Sequence, residues 1–207
     1  MKPSCILTAT TAAAIFALTA CSDPADKTAD AVVSEPVAEA PAPAEGVNYN
    51  FAEGSTIGFI GSKVTGSHEG GFKKFTGHFV LENGKPVAGH FTIQMNSTWS
   101  DAEKLTGHLL SADFFDVENH PETTFEVSAF TEKPDGQWEL SGNLTLHGVT
   151  KNITFPAQVT NDDTTVKIDA EFDINRKDFG IVYPGRPDDL IRDNVVIKFA
   201  LVATPEA

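Results

Sequence analysis

The feature that most constrains this chain is an alternation of apolar and polar residues that recurs from residue 55 to residue 203. In KFTGHFVL (74–81) the apolar side is Phe75, Phe79 and Leu81, and in GHFTIQMNSTW (89–99) it is Phe91, Ile93, Met95 and Trp99. TTFEVSAF (123–130), QWELSGNLTLHG (137–148), NITFPAQV (152–159), TVKIDAEFDI (165–174) and VVIKFALVA (195–203) repeat the pattern, and STIGFIG (55–61) supplies a first strand through Ile57 and Phe59. Successive side chains of a strand point to opposite faces, so a period of two specifies strands with one dry and one wet face. About eight such strands, with turn sequences such as ENGK (82–85) and KPDG (133–136) between them, specify an antiparallel all-β domain. A sandwich of two sheets satisfies this pattern. So does a barrel, which leaves no exposed edge.

One stretch breaks the rhythm. STWSDAEKLTGHLLSADFF (97–115) puts Leu105, His108 and Leu109 at helical spacing, and Ser100 followed by Glu103 matches a capping box. A short amphipathic helix is expected there, its leucines laid over the end of the sheet. Upstream, residues 1–20 read as a signal sequence, with Lys2 before an apolar run too short to span a bilayer. LTAC (18–21) resembles the bacterial lipobox, which implies acylation of Cys21 and a membrane anchor. Residues 22–46 hold seven Ala, four Pro and no aromatic residue, so a lipidated N-terminus and disordered Ala/Pro linker is expected over 21–46. As a coil those 25 residues reach about 28 Å. The folded domain is expected over 47–207. Net charge is −14, which repels a phosphate backbone and argues against nucleic acid as a partner.

Three blocks, LTGHLLSADFFDVENHPETTFE (105–126), LSGNLTLHGVTKNITFPA (140–157) and FDINRKDFGI (172–181), resemble in content, order and spacing the signature blocks of the YceI-like family. The resemblance implies a lipocalin-like eight-stranded antiparallel barrel holding an isoprenoid or fatty-acyl chain, in a protein exported to the periplasm. The lipobox departs from the simplest members, whose signal is only cleaved. Together with Ser22 after the cysteine, it implies a periplasm-facing lipoprotein of the outer membrane.

The residues give a reason for a cavity. Gly61, Gly77, Gly89, Ala129, Gly142, Ala157 and Ala170 share parity with bulky inward residues of their strands, leaving volume that phenylalanine rings must cross or a ligand must fill. The 15 Phe outnumber two Tyr and two Trp, and Phe buries area without offering a hydrogen bond. Candidate lining residues are Phe75, Phe79, Phe91, Trp99, Leu105, Leu109, Phe114, Phe125 and Phe172. The three arginines, Arg176, Arg186 and Arg192, surround a Pro/Gly-bearing loop at 178–194. Arg176 and Arg186 are candidate headgroup contacts; against this, Asp173, Asp178, Asp188, Asp189 and Asp193 crowd the same region, where the arginines would pair with them and pin the loop. No HEXXH or HxH motif, lipase-type GxSxG elbow or glycine-rich phosphate cradle occurs, so no metal, catalytic residue or cofactor other than a bound lipid is expected. The leading expectation is a non-enzymatic carrier or buffer of a long apolar lipid. The alternatives are an enzyme acting on such a lipid and a structural or stress-related envelope protein with a filled barrel.

Overall fold

The structure, a computed structural model, describes residues 23–37, 46–162 and 164–206. The expected signal sequence (1–20) and the acylation site Cys21 lie outside the described residues. After a 3-10 turn at Pro24–Lys27, the chain runs through β1 (Ala29–Asp30), β2 (Val32–Ser34), β3 (Val47–Phe51), β4 (Thr56–Lys63), β5 (Gly66–Phe72), β6 (Phe75–Glu82), β7 (Lys85–Gln94) and β8 (Thr98–Ser100). Helix α1 (Glu103–Leu109) precedes β9 (Glu122–Glu132), β10 (Trp138–Leu146), β11 (Val149–Asn161) and β12 (Val166–Asn175). A 3-10 turn (Arg176–Phe179) and a hairpin of β13 (Gly185–Arg186) and β14 (Asp189–Leu190) lead into β15 (Asn194–Pro205).

Eight strands close on themselves in the order β3, β6, β7, β9, β10, β11, β12, β15 and back to β3, every pair antiparallel. The architecture is a barrel, so the sandwich alternative falls. The segment expected as first strand is not in the ring. β4 instead pairs with the N-terminal half of β15 and extends the wall outward through β5 and β8. The ring position belongs to β3, whose VNYNF also alternates, with Tyr49 and Phe51 packed against the core.

Register carries two bulges. The β6–β7 turn is the two residues Asn83 and Gly84, both at positive φ (52° and 76°), which is the twist-matched hairpin turn. A register shift after Val80 adds one residue, and His78 then sits directly across from His90. On β9 a second shift, opposite Ser141/Gly142, turns the alternation over. Phe130 rather than Ala129 then packs on the core, against Phe79 at 6.1 Å.

Two local expectations need correction. Helix α1 begins at Glu103 with Ala102 as its cap, and no side chain caps it. Ser100 belongs to β8, two residues too early for a capping box. Its hydroxyl donates to Ala102 O (2.8 Å), and its amide donates to Thr106 Oγ1 (2.9 Å). The larger correction concerns the expected disordered linker. Residues 23–37 are built into the wall. β11 and β12 pair with each other only at 158–161 and 166–169 and then diverge. Into that gap β1 pairs parallel to β12 at Phe172 and Asp173, and β2 pairs antiparallel to β11 at 152–154. Composition misleads here because the segment contributes backbone pairing rather than aromatic side chains. Buried Asp173 accepts from Thr28 Oγ1 at 2.9 Å, and Ala31 N donates to Asp173 O at 2.9 Å.

Candidate functional site

One half of the barrel interior is solid. Phe51, Phe79, Phe91, Phe125, Phe155, Phe172 and Phe199 interlock there. Phe155 and Phe172 stack at 3.9 Å, while Phe199 meets both edge-on. The inward glycines of this half are not vacancies. A methyl group at Gly77 would come within 2.7 Å of a Phe51 ring carbon, at Gly89 within 2.6 Å of Phe79, and at Gly142 within 2.5 Å of Phe125. Each glycine is the seat of a phenylalanine ring from a neighbouring strand. Gly61 differs: a methyl group there meets no heavy atom within 4 Å.

Gly61 borders an internal cavity of about 140 Å³ in the other half. Its floor is Phe91, Phe125, Phe172 and Phe199, and its walls include Ile57, Ile93, Leu144, Leu146, Ile153 and Ile197. The roof comes from two segments. Leu109, Phe114 and Phe115 descend from α1 and the turns after it, and Ile181 and Ile191 come from the loop before β15. Leu109, Phe114 and Ile181 are buried with Phe59 as a small satellite core. The cavity surface is apolar throughout. Thr123, the inward residue before Phe125, is 4% exposed, and its hydroxyl has no hydrogen-bond partner. A buried unpaired hydroxyl costs about 1–3 kcal/mol, so this position is held at a cost to stability.

Above the roof lies a groove of about 540 Å³ that shares Phe59, Gly61, Leu109, Phe114 and Ile191 with the cavity. Lys63, Lys104, Arg186 and Asp189 border it; Lys63 is paired with Asp189, so Lys104 and Arg186 supply the rim's net positive charge. Cavity and groove are therefore separated only by roof side chains.

The arginines divide their work. Arg176, 4% exposed, donates through Nε to Arg192 O (3.1 Å) and through Nη1 to Ile181 O (2.6 Å), and its Nη2 lies 3.5 Å from Ile191 O and Asp193 Oδ1. Burial pulls its guanidinium below the usual arginine range, and Asp193 opposes the shift. Its donors are turned to loop carbonyls, so Arg176 is the clasp of the roof loop and meets the cavity at its edge. Arg192 Nη1 reaches Asp23 at 3.1 Å. Arg186 is exposed on the outer hairpin.

Of the lining residues expected from sequence, Phe91, Leu109, Phe114, Phe125 and Phe172 border the cavity together with Arg176. Leu105 and Arg186 border the groove above it. Phe79 is in the solid half against Phe51. Phe75 and Trp99 face an outer crevice between β4–β5 and β6, Trp99 being 39% exposed. The 3-10 turn at Met95–Ser97 ends the strand alternation before Trp99 is reached. Sequence reasoning missed Thr123, whose signal was its place on the dry parity of β9, and Phe115, Ile181 and Ile191, which have no period to mark them.

Comparison with known proteins sets this site in a family. The YceI-like domain matches residues 50–203. A UPF0312 protein of Pseudomonas putida (strain W619) is 35% identical over 124 residues, 56% of this chain and 65% of that protein. Protein YceI of Escherichia coli O157:H7 is 34% identical over 120 residues, 54% of this chain and 62% of that one. The matched region thus spans less than two thirds of these curated relatives. Among solved structures, BcnA of Burkholderia cenocepacia superposes with a TM-score of 0.65 at 26% identity, over 72% of this chain and 96% of that one. A polyisoprenoid-binding domain from Saccharophagus degradans, implicated in plant cell wall breakdown, superposes with a TM-score of 0.64 over 78% of this chain and 100% of that one. At 16% identity that likeness speaks for the fold alone. The chain belongs to the YceI-like family.

Proposed function

We propose that this YceI-like barrel holds a long apolar lipid, an isoprenoid quinone, polyprenyl or fatty-acyl chain, as an envelope carrier or buffer that breaks no covalent bond. The observation that carries the reading is a dry cavity left open in a barrel whose other half is packed solid. Packed interiors rarely keep voids larger than a water molecule, and an apolar void of about 150 Å³ stays dry and takes a benzene-sized guest. The cavity alone therefore accepts the end of a chain, about one isoprene unit. A longer ligand fits by parting Leu109, Phe114 and Ile191 and continuing into the groove. A polyisoprenoid-binding domain shares this fold, so the barrel architecture is one that accommodates such a chain.

Acylation of Cys21 completes the proposal. Asp23 is held by Arg192 and by Ser62 Oγ at 3.3 Å, next to the roof loop. Two residues span at most about 7 Å, so an acyl anchor at Cys21 keeps the roof near the bilayer surface, where an apolar ligand would be exchanged. The test is gentle extraction of the native protein followed by lipid identification, with titration of a fluorescent polyene fatty acid into delipidated protein. A co-purifying lipid and saturable one-to-one binding are expected. No lipid and no saturable binding would leave the structural alternative standing, and product formed in excess of protein would favour the enzymatic one.

A further inference from the structure

Three side chains from two separate segments of the chain meet at the edge of the roof. Asp116 and His120 lie in the turns after α1, and His147 lies in the β10–β11 turn. Their ligating atoms all fall within 4.8 Å of one another, and all three residues are half-buried. The two imidazoles face each other edge-on with centroids 4.9 Å apart.

Hydrogen bonds fix two of these groups and leave each an unused ligating atom. His147 Nδ1 lies 3.2 Å from Phe179 O. A carbonyl only accepts, so Nδ1 carries the proton and Nε2 keeps its lone pair. A carbonyl on the far nitrogen of an imidazole is the usual support of a metal-bound histidine. Asn119 Nδ2 donates to Asp116 Oδ2 at 2.9 Å, leaving Oδ1 available. His147 and Gly148 hold φ of 51° and 73° as a two-residue hairpin turn, and a methyl group at Gly148 would come within 2.6 Å of the His120 ring. The glycine thus serves both the turn and the close approach of His120 to it.

We infer that Asp116, His120 and His147 form a binding site for a borderline divalent transition metal, with Zn²⁺ the ion of choice. Two imidazole nitrogens and one carboxylate oxygen, with a fourth position open to water, suit tetrahedral Zn²⁺. Bonds of about 2.0–2.1 Å place ligand atoms roughly 3.3 Å apart, so side-chain rotation closes the triad without moving strands. Bound metal would join the Phe115–Asp116 roof segment to the β10–β11 turn beside Leu146, both of which border the cavity. The inference does not depend on the lipid reading.

The experiment is a competition titration of Zn²⁺ alone against a chromogenic chelator, using the metal-stripped protein, with melting temperature as a second readout. Wild type is expected to take one Zn²⁺ and to melt higher with it. His147→Asn keeps the turn, since Asn-Gly is its favoured sequence, yet removes the imidazole. It and His120→Ala are each expected to weaken Zn²⁺ at least tenfold and to abolish the melting shift. A His78→Ala/His90→Ala double variant removes the cross-strand pair on the outer face and should change the affinity less than twofold. Absence of stoichiometric uptake, or uptake lost with His78 and His90 but kept in His147→Asn, overturns the inference.

Discussion

Gly61→Leu separates a cavity kept for a guest from a mere packing flaw. The cavity of about 140 Å³ carries, at about 24 cal/mol per Å³, a penalty of roughly 3 kcal/mol in the empty protein. Leucine at 61 directs its side chain into that space from a strand position at ordinary φ, with nothing within 4 Å of its first carbon. Gly61→Ala is the control, because it shares the backbone effect of roughly 0.5–1 kcal/mol but hardly fills the void. The three further carbons of leucine, at about 0.8 kcal/mol each, add roughly 2.5 kcal/mol. For a chain of this size that is about 5–10 °C in melting temperature. Urea titration and thermal unfolding of both variants, free of lipid, measure the gain. Titration with the polyene fatty acid measures the cost, and the affinity of Gly61→Leu should fall at least tenfold below that of Gly61→Ala. A Gly61→Leu protein that melts below Gly61→Ala, or that binds the probe as wild type does, refutes the reasoning, since the void would then be either unfillable or not the site.

Thr123→Val replaces the unpartnered hydroxyl with an isosteric methyl and should stabilise the empty protein by about 1 kcal/mol in urea titration, while leaving the affinity for the polyene fatty acid close to that of wild type, because the hydroxyl oxygen is sealed from the cavity surface. Arg176→Met strips the roof loop of its clasp and should cost about 3 kcal/mol in urea titration, mostly from the stranded Ile181 and Arg192 carbonyls, because the Asp193 partner is 43% exposed and screened; limited proteolysis should then cut within 182–191, and Arg176→Lys should not rescue it because one ammonium does not span those acceptors. Asp173 is 2% exposed, and burial first, then Asp30, push its carboxyl above the usual aspartate range against the opposing bonds from Thr28 and Asn194. Its stabilising contribution is full below about pH 4 and is lost as pH rises through the raised value, so hydrogen-exchange protection at 28–34 should increase as pH falls from 7 towards about 4, whereas Asp173→Asn should give a flat response.

The strands were legible because burial on one side of a sheet writes itself into every second residue. What was not legible follows from the same physics. Parity says that Gly77, Gly89, Gly142 and Gly61 face inward, yet whether a ring from the next strand lies over each depends on register, and only Gly61 is left uncovered. The bulges at Val80/Leu81 and opposite Ser141/Gly142 shift parity by one residue, which is why Phe130 replaces Ala129 at the core. Phe115, Ile181 and Ile191 sit in turns, where no period exists to read. The triad of Asp116, His120 and His147 arises only when the β10–β11 turn folds beside the segment after α1, so no local spacing announces it. Residues 23–37 read as a linker because composition registers bulky apolar and aromatic side chains, whereas this segment is held by backbone pairing and by small polar side chains such as Asp23 and Thr28.

These departures gather in one half of the barrel, and stability explains why. The half containing Phe79, Phe155 and Phe199 is held by interlocked rings, so opening it exposes most of the core at once. The half around the cavity is held by separable fastenings: the Arg176 clasp, the Asp23–Arg192 pair, β1 and β2 wedged between β11 and β12, and the short α1. Local opening is drawn from regions with few apolar contacts and individually breakable polar ones. A barrel that must admit and release a chain without unfolding needs this asymmetry, because a uniformly packed interior would make each exchange cost a large part of the global stability. The wedge of β1 and β2 is the most telling case. It seals the wall beside Ile153 and Phe172, which line the cavity, and it begins within ten residues of the cysteine proposed to carry the anchor. Force or motion at the membrane would therefore reach the cavity wall directly, without crossing the phenylalanine-filled half.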